Sequence, residues 1–323
     1  VVDKRIYLAG LLNSSRGQRV NWPWIYDELD TEQVFTLESF WYDSYVRRSF
    51  SEKGFKIFLD SGAYSWYTFH IEQGKAIDEK AEHEYMDRYA TFINTYADRI
   101  HAYVNLDVIF DPERSWVNLN YLEKQGLTPI PVYHLGEDIW WFERMVDEYD
   151  YIGIGGAVSS GYGFTLQRKK IDELFTIIYN RNREGIKVHG FGKTGWKDIS
   201  RYPWYSVDST TWVMVAANGS ILAPRWNPNE QRFDGRSSPV VITLSGLSKV
   251  KDSNVLGHFQ FKLSDDEIKK VFEYFEFAGL VLEDMEKNYW ERWRANVIYF
   301  KLVSEELRRE QTKKYLKSDK PLF

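Results

Sequence analysis

The stretch Tyr205-Ser206-Val207-Asp208-Ser209-Thr210-Thr211-Trp212, YSVDSTTW, sets a carboxylate inside a run otherwise made of strand formers. Tyr, Val, Thr and Trp favour a pleated, half-buried surface, and an aspartate among them is disfavoured. Asp208 therefore has one of two roles. Either it ends the strand and caps the next helix, or it is a carboxylate held where a parallel strand opens into an active site.

Working outward, six further short apolar runs have the same form: KRIYLAGL (4–11), KIFLDSG (56–62), IHAYVNLDVI (100–109), TPIPVYHL (128–135), YIGIGG (151–156) and KVHGFG (187–192). Several are continuously hydrophobic rather than alternating, as expected of parallel strands covered on both faces. The segments between them, such as 78–98 and 168–184, carry helical periodicity. Strand–helix alternation over this length predicts an α/β fold, a (β/α)8 TIM barrel, with an open doubly wound sheet as the alternative. The text changes near 225, where PRWNPNEQRFDGRSSP is rich in Pro, Asn, Gly and Arg; residues 225–260 are expected to form an irregular excursion. Beyond it, 261–323 is strongly helical, with Ser264 and Glu267 placed for a capping box. With no repeat and no linker, one domain spanning 1–323 is expected.

Composition narrows the chemistry. The 323 residues include no cysteine, which excludes disulfides, thiolate nucleophiles and Cys-based metal sites. A net charge of −5 supplies no overall field for a polyanion, so nucleic-acid contacts must come from local patches. No run reaches the ~18 apolar residues of a membrane span, and the N-terminal VVDKRIYLAG lacks a secretory pattern. A soluble protein that does not engage membranes is expected.

In a barrel, chemistry belongs at the C-terminal ends of the strands. Asp60 ends KIFLD, Asp107 ends YVNLD, His134 ends PVYH, Gly155 and Gly156 end IGIGG, His189 lies in VHGFG, and Asp208 ends YSVD. A single strand-end aspartate is most simply a helix cap, but three together point to divided labour, one acid as nucleophile and another exchanging protons. Gly155 and Gly156 taken alone are a tight turn. With no Cβ they also let backbone N–H groups approach a flat ligand.

Four of these pieces occur in an order that resembles the tRNA-guanine transglycosylase superfamily. DSGAY (60–64), IGGAV (154–158), HGFGKTGWKDI (189–199) and VDSTTWVMVAANG (207–219) parallel that family's D-S-G-G-F/Y, I-G-G-L-A-V, M-G-V-G-x-P-x-D-I/L and D-C-V-L-P-T-R-x-x-R-N-G. The last aligns without a gap from Asp208 to Asn218-Gly219. The resemblance implies a (β/α)8 barrel and base exchange with no cofactor. Asp208 falls on the nucleophile that attacks C1′ of a guanosine. Asp60 falls on the general base that takes a proton from an incoming free 7-deazaguanine, such as the 7-cyano base. Asp107 matches the reader of the base's N1–H and amino edge, and Gly155 and Gly156 match backbone contacts to its carbonyl. Tyr64 and His189 occupy the positions that sandwich the base, with His189 in place of a methionine. His134 stands where the family has a glutamine.

Two departures carry information. With no cysteine, the family's structural zinc site has no counterpart, and no metal is expected. The two arginines that grip tRNA are Met214 and Ala217 here. The pattern is most similar to the DNA-modifying branch found in phages and bacteria, which implies a cytoplasmic location, in the host if phage-encoded. The substrate expected is single-stranded or locally opened DNA, because attack at C1′ requires the nucleoside out of the stack. Candidate DNA contacts are Arg168, Lys169, Lys170, Lys193, Lys197, Arg225, Arg232 and Arg236, with Trp196, Trp204, Trp212 and Trp226 as stacking platforms. A second copy or an accessory protein is admitted as partner. The alternatives are a tRNA substrate, a non-catalytic partner subunit, and an unrelated barrel glycosidase using Asp60 and Asp208.

Overall fold

In a computed structural model, the described residues are 4–11, 35–50, 56–75, 77–156, 161, 163–193, 195–244 and 264–309. Eight strands form one parallel, curled sheet: β1 (Arg5–Ala9), β2 (Phe35–Ser39), β3 (Ile57–Asp60), β4 (Ile100–Tyr103), β5 (Val132–His134), β6 (Tyr151–Gly155), β7 (Lys187–Gly190) and β8 (Ser206–Ser209). Their spatial order is β4-β3-β2-β1-β8-β7-β6-β5. An isolated parallel bridge pairs Val104, just after β4, with Ile130, just before β5. It is supported by Asn105 N–H donating to Ile130 O at 2.9 Å and Ile130 N–H to Tyr103 O at 2.8 Å.

The strand period of two sorts the side chains. Ile6, Leu8, Ile152, Ile154, Val188 and Val207 join the core under the helices. Their neighbours Tyr7, Ala9, Phe58 and Val132 form a separate cluster on the other face, with Tyr151 and Phe191 packed against it. Asp60, His134, His189 and Asp208 share the parity of this second set.

The helices are α1 (Asp43–Phe50), α2 (Ala63–Glu72), α3 (Glu79–Thr95), α4 (Pro112–Lys124), α5 (Ile139–Glu148), α6 (Phe164–Asn180), α7 (Trp196–Ile199) and α8 (Thr211–Ala217). Side-chain caps come from loop aspartates. Asp78 accepts from Ala81 N at 2.8 Å, Asp111 from Arg114 N at 3.1 Å, and Asp138 from Trp140 N at 2.9 Å. No described helix is long and apolar enough to cross a membrane.

Two expectations are corrected. β2 is an eighth strand that the sequence reading omits. Its FTLES carries a fully buried Glu38, bonded by Thr36 Oγ1 at 2.5 Å, which hides its apolar character. The segment 225–244 is not irregular. β9 (Ser220–Ala223) pairs antiparallel with β12 (Val240–Thr243), and β10 (Arg225–Asn227) pairs with β11 (Arg232–Asp234) as a hairpin. The arginines there satisfy local acids: Arg232 and Arg236 both bond Glu230 and Glu306, and Arg236 also holds Asp234. Residues 245–260 of the expected excursion, and 261–263 and 310–323 of the helical tail, lie outside the described residues.

The tail itself forms α9 (Asp265–Phe277), α10 (Leu282–Lys287) and α11 (Tyr289–Arg309), with the Ser264–Glu267 capping box formed. Helix α11 docks against α8 and β9 through Asn296, which is fully buried. Its Nδ2 donates to Trp212 O and its Oδ1 accepts from Leu222 N, both at 2.7 Å. Asn296→Ala strands two buried backbone groups and should cost about 3 kcal/mol. A urea midpoint lowered by that energy divided by the slope, with the slope unchanged, is the expected result.

Candidate active site

Asp60 ends β3 and Asp208 lies in β8, whereas Asp107, expected to end its strand, follows β4 by four residues; none of the three caps a helix. The residue before α2 is Gly62 and the residue before α8 is Thr210, neither with a side-chain cap, and α4 is capped by Asp111. Asp60 accepts from the turn at Gly62 N, 2.9 Å. Asp107 bonds His134 Nε2 at 2.8 Å. Asp208 accepts at Oδ1 from His189 Nε2 at 3.2 Å and from Gly192 N at 3.1 Å. The bland account of these acids therefore does not hold for any of them.

Asp60 and Asp107 line one cavity of about 610 Å³, together with His134, Tyr64, Gly155 and Gly156. Ala63, Ile109, Val132 and Phe191 supply its apolar wall, and Gly192, the residue bonded to Asp208, is also on the wall. That size and lining suit a small, flat, polar-edged ligand. Tyr64, which also lines the cavity, is 68% exposed. Ala157 and Val158 of the IGGAV motif lie outside the described residues.

The glycines are needed for space. A Cβ on Gly155 would sit 3.2 Å from His134 Nδ1, and Gly156 has φ +76° with Leu135 N 3.0 Å from its Cβ position. The missing Cβ of Gly155, paired with His134 across β5 and β6, leaves the imidazole room beside Asp107.

Charge is concentrated here. Burial pushes the Asp60 carboxyl up to about 7, and the nearby charges of Asp107 and Asp208 push in the same direction. Such a group exchanges protons near neutrality. Burial works against a charged His134, but the hydrogen bond and charge of Asp107, with Glu137, outweigh it and hold the imidazole above its ordinary range. Glu137 also accepts from the His134 backbone N–H at 3.0 Å and was not anticipated. Its only sequence signal is its position three residues after a strand-end histidine.

The other expected contact residues fall in varied surroundings. His189 does not face the cavity. It is fully buried, with Nε2 on Asp208 and Nδ1 on Ser206, and Phe191 takes the wall position instead. Lys193 is buried with its ammonium on Gln167 at 3.1 Å, and burial lowers its pKa. Arg168 is tied to Asp198 at 2.9 Å under Phe164, and Lys170 pairs with Glu173. Arg225 pairs with Glu267 in a separate cleft. Trp204 and Trp212 are fully buried core, Trp196 packs against the same core, and Trp226 packs under Lys270. Lys169 and Lys197 remain as exposed cations. Met214 and Ala217, where the family resemblance has arginines, are both exposed.

No protein-family model matches the chain, and no curated protein matches it.

Proposed function

We propose that this chain is a guanine transglycosylase that exchanges guanine in DNA for a free 7-deazaguanine base, on a closed (β/α)8 barrel. The observation that carries the reading is a pair of non-capping carboxylates, Asp60 and Asp107, on one cavity lined in part by Gly155 and Gly156, with a third, Asp208, bonded to its wall residue Gly192. The resemblance of the four motifs assigns their roles.

Asp208 attacks C1′ of the nucleoside, and the C1′–N9 bond breaks with its electron pair leaving on guanine. Asp60, whose carboxyl burial raises to about 7, gives the departing base its proton. The incoming base then returns a proton to Asp60 as its nitrogen displaces Asp208 from C1′. Net charge and protons balance over the two halves, and Asp60 serves as acid and then as base. Asp107 reads the N1–H and amino edge. With its Oδ2 held by His134, Oδ1 is the oxygen left for the base.

DNA is favoured over tRNA by Met214 and Ala217, which leave no guanidinium where the tRNA enzymes have two. The test offers labelled 7-cyano-7-deazaguanine to single-stranded DNA, duplex DNA and unmodified tRNA side by side. Label entering single-stranded DNA, and duplex more slowly because the base must be unstacked, is the expected outcome. Label in tRNA alone reverses the choice of polymer, and label in none overturns the activity.

A further inference from the structure

Asp208 stands at one end of a buried hydrogen-bond chain that the exchange reaction as described does not use. From its Oδ1 the chain runs to His189 Nε2 at 3.2 Å, from His189 Nδ1 to Ser206 Oγ at 2.7 Å, and from Ser206 Oγ to Tyr151 OH at 2.8 Å. The register across β7 and β8 pairs His189 with Ser206, so the contact is built into the sheet. Phe58, Phe191 and Tyr7 pack around the imidazole, with ring centroids 4.6, 4.4 and 5.9 Å away. The ring is fully buried and cannot swing out to a ligand.

Donor and acceptor chemistry gives the chain a direction. An ionised carboxylate only accepts, so the Asp208 contact places a hydrogen on Nε2. In a neutral ring Nδ1 is then the acceptor, and the Ser206 hydroxyl donates to it. Ser206 Oγ in turn accepts from Tyr151. Burial holds the Tyr151 phenol well above its ordinary range, so it remains a donor. Oδ1 also takes the Gly192 N–H at 3.1 Å, whereas no hydrogen bond among the described residues reaches Oδ2.

We propose that His189, set in its Nε2–H tautomer by the Asp208 carboxylate and completed by Ser206 and Tyr151 on its other side, is a positioning residue that fixes Oδ1 of Asp208 and leaves Oδ2 as the attacking oxygen. The oxygen assignment rests on Asp208 being the nucleophile, as proposed above. In that step an Oδ2 lone pair forms the bond to C1′ while the C1′–N9 pair departs with guanine, which takes its proton from Asp60. A carboxylate free to rotate would present either oxygen, and small misplacements of a reacting atom cost on the order of 10²-fold in rate.

Two readouts test this on the full-length protein. Long-range proton–nitrogen NMR of imidazole-labelled protein should show His189 as the Nε2–H tautomer, with Asp208→Ala, which removes the acceptor that fixes it, moving it toward a mixture. The rate of forming a denaturation-resistant protein–DNA adduct should fall about 10²-fold in His189→Met. It should recover most of the way in His189→Gln, whose amide nitrogen mimics Nε2, with KM for DNA unchanged in both. An Nδ1–H or doubly protonated ring overturns the chain, as does a His189→Gln protein no faster than His189→Met. A wild-type protein that forms no adduct overturns the nucleophile reading and the oxygen assignment with it. The nitrogen spectrum then decides the hydrogen-bond chain by itself.

Discussion

Asp208→Asn is expected to abolish base exchange while leaving folding stability close to wild type. The amide oxygen of asparagine can take over the Oδ1 position and keep both the His189 Nε2–H and the Gly192 N–H satisfied. What is lost is the anionic oxygen that attacks C1′. Removal of a nucleophile from a concerted site costs on the order of 10⁴-fold or more. Labelled-base incorporation should fall below detection, and the adduct with single-stranded DNA should vanish from a denaturing gel. The thermal midpoint should move by no more than about 1 kcal/mol would shift it. Activity surviving at even a tenth of wild type would remove Asp208 from the chemistry.

Asp60→Asn should trade activity for stability, with a pH dependence of known sign. The folded Asp60 carboxyl titrates at about 7 against an ordinary value of 3.8. Between those values the native state holds a proton that the unfolded chain has released, so wild-type stability falls as pH rises through that window. Below pH 4 both states are protonated and this penalty is absent. Above pH 7 it is fully present, on the order of 2–4 kcal/mol for a shift of about three units at a partly solvated site. Asparagine never ionises and can still accept from Gly62 N. Asp60→Asn should therefore match wild type near pH 4 and exceed it increasingly up to pH 7, then hold a constant margin. Urea titrations at pH 4, 5.5, 7 and 8.5 measure this directly. A variant that loses stability at pH 8 shows that burial of the Asp60 charge carries no cost. Exchange should drop by roughly 10²–10⁴-fold, because no group remains to carry the proton between the two bases.

The motif-bearing strand ends were legible because local chemistry writes them. Continuous apolar runs ended by a carboxylate or glycine mark buried parallel strands opening at their C-terminal ends, and Asp60, Asp107, His134, Gly155 and Gly156 are all found on one cavity. The capping box at Ser264–Glu267 was equally plain, since every contact that defines it lies within four residues. Strand β2 was not, because its buried Glu38 looks like a solvent-facing residue until Thr36 and the sheet around it are in place.

For this protein the sequence by itself determined the strand–helix alternation, the absence of thiol chemistry, and the acids that end β3 and β8. Only the tertiary structure decided which way the polar side chains turned. A strand covered on both faces shows no alternation of polarity, so nothing local says that His189 turns inward to Asp208 rather than lining the cavity. The same holds for the cations and tryptophans after β6 and β7. Lys193 and Lys197 are four residues apart, yet one is buried on Gln167 and the other exposed. Trp204 and Trp212 are core because Phe175 and Trp293 close over them from distant helices. Burial is a property of what packs on a residue, and those partners lie tens of residues away along the chain.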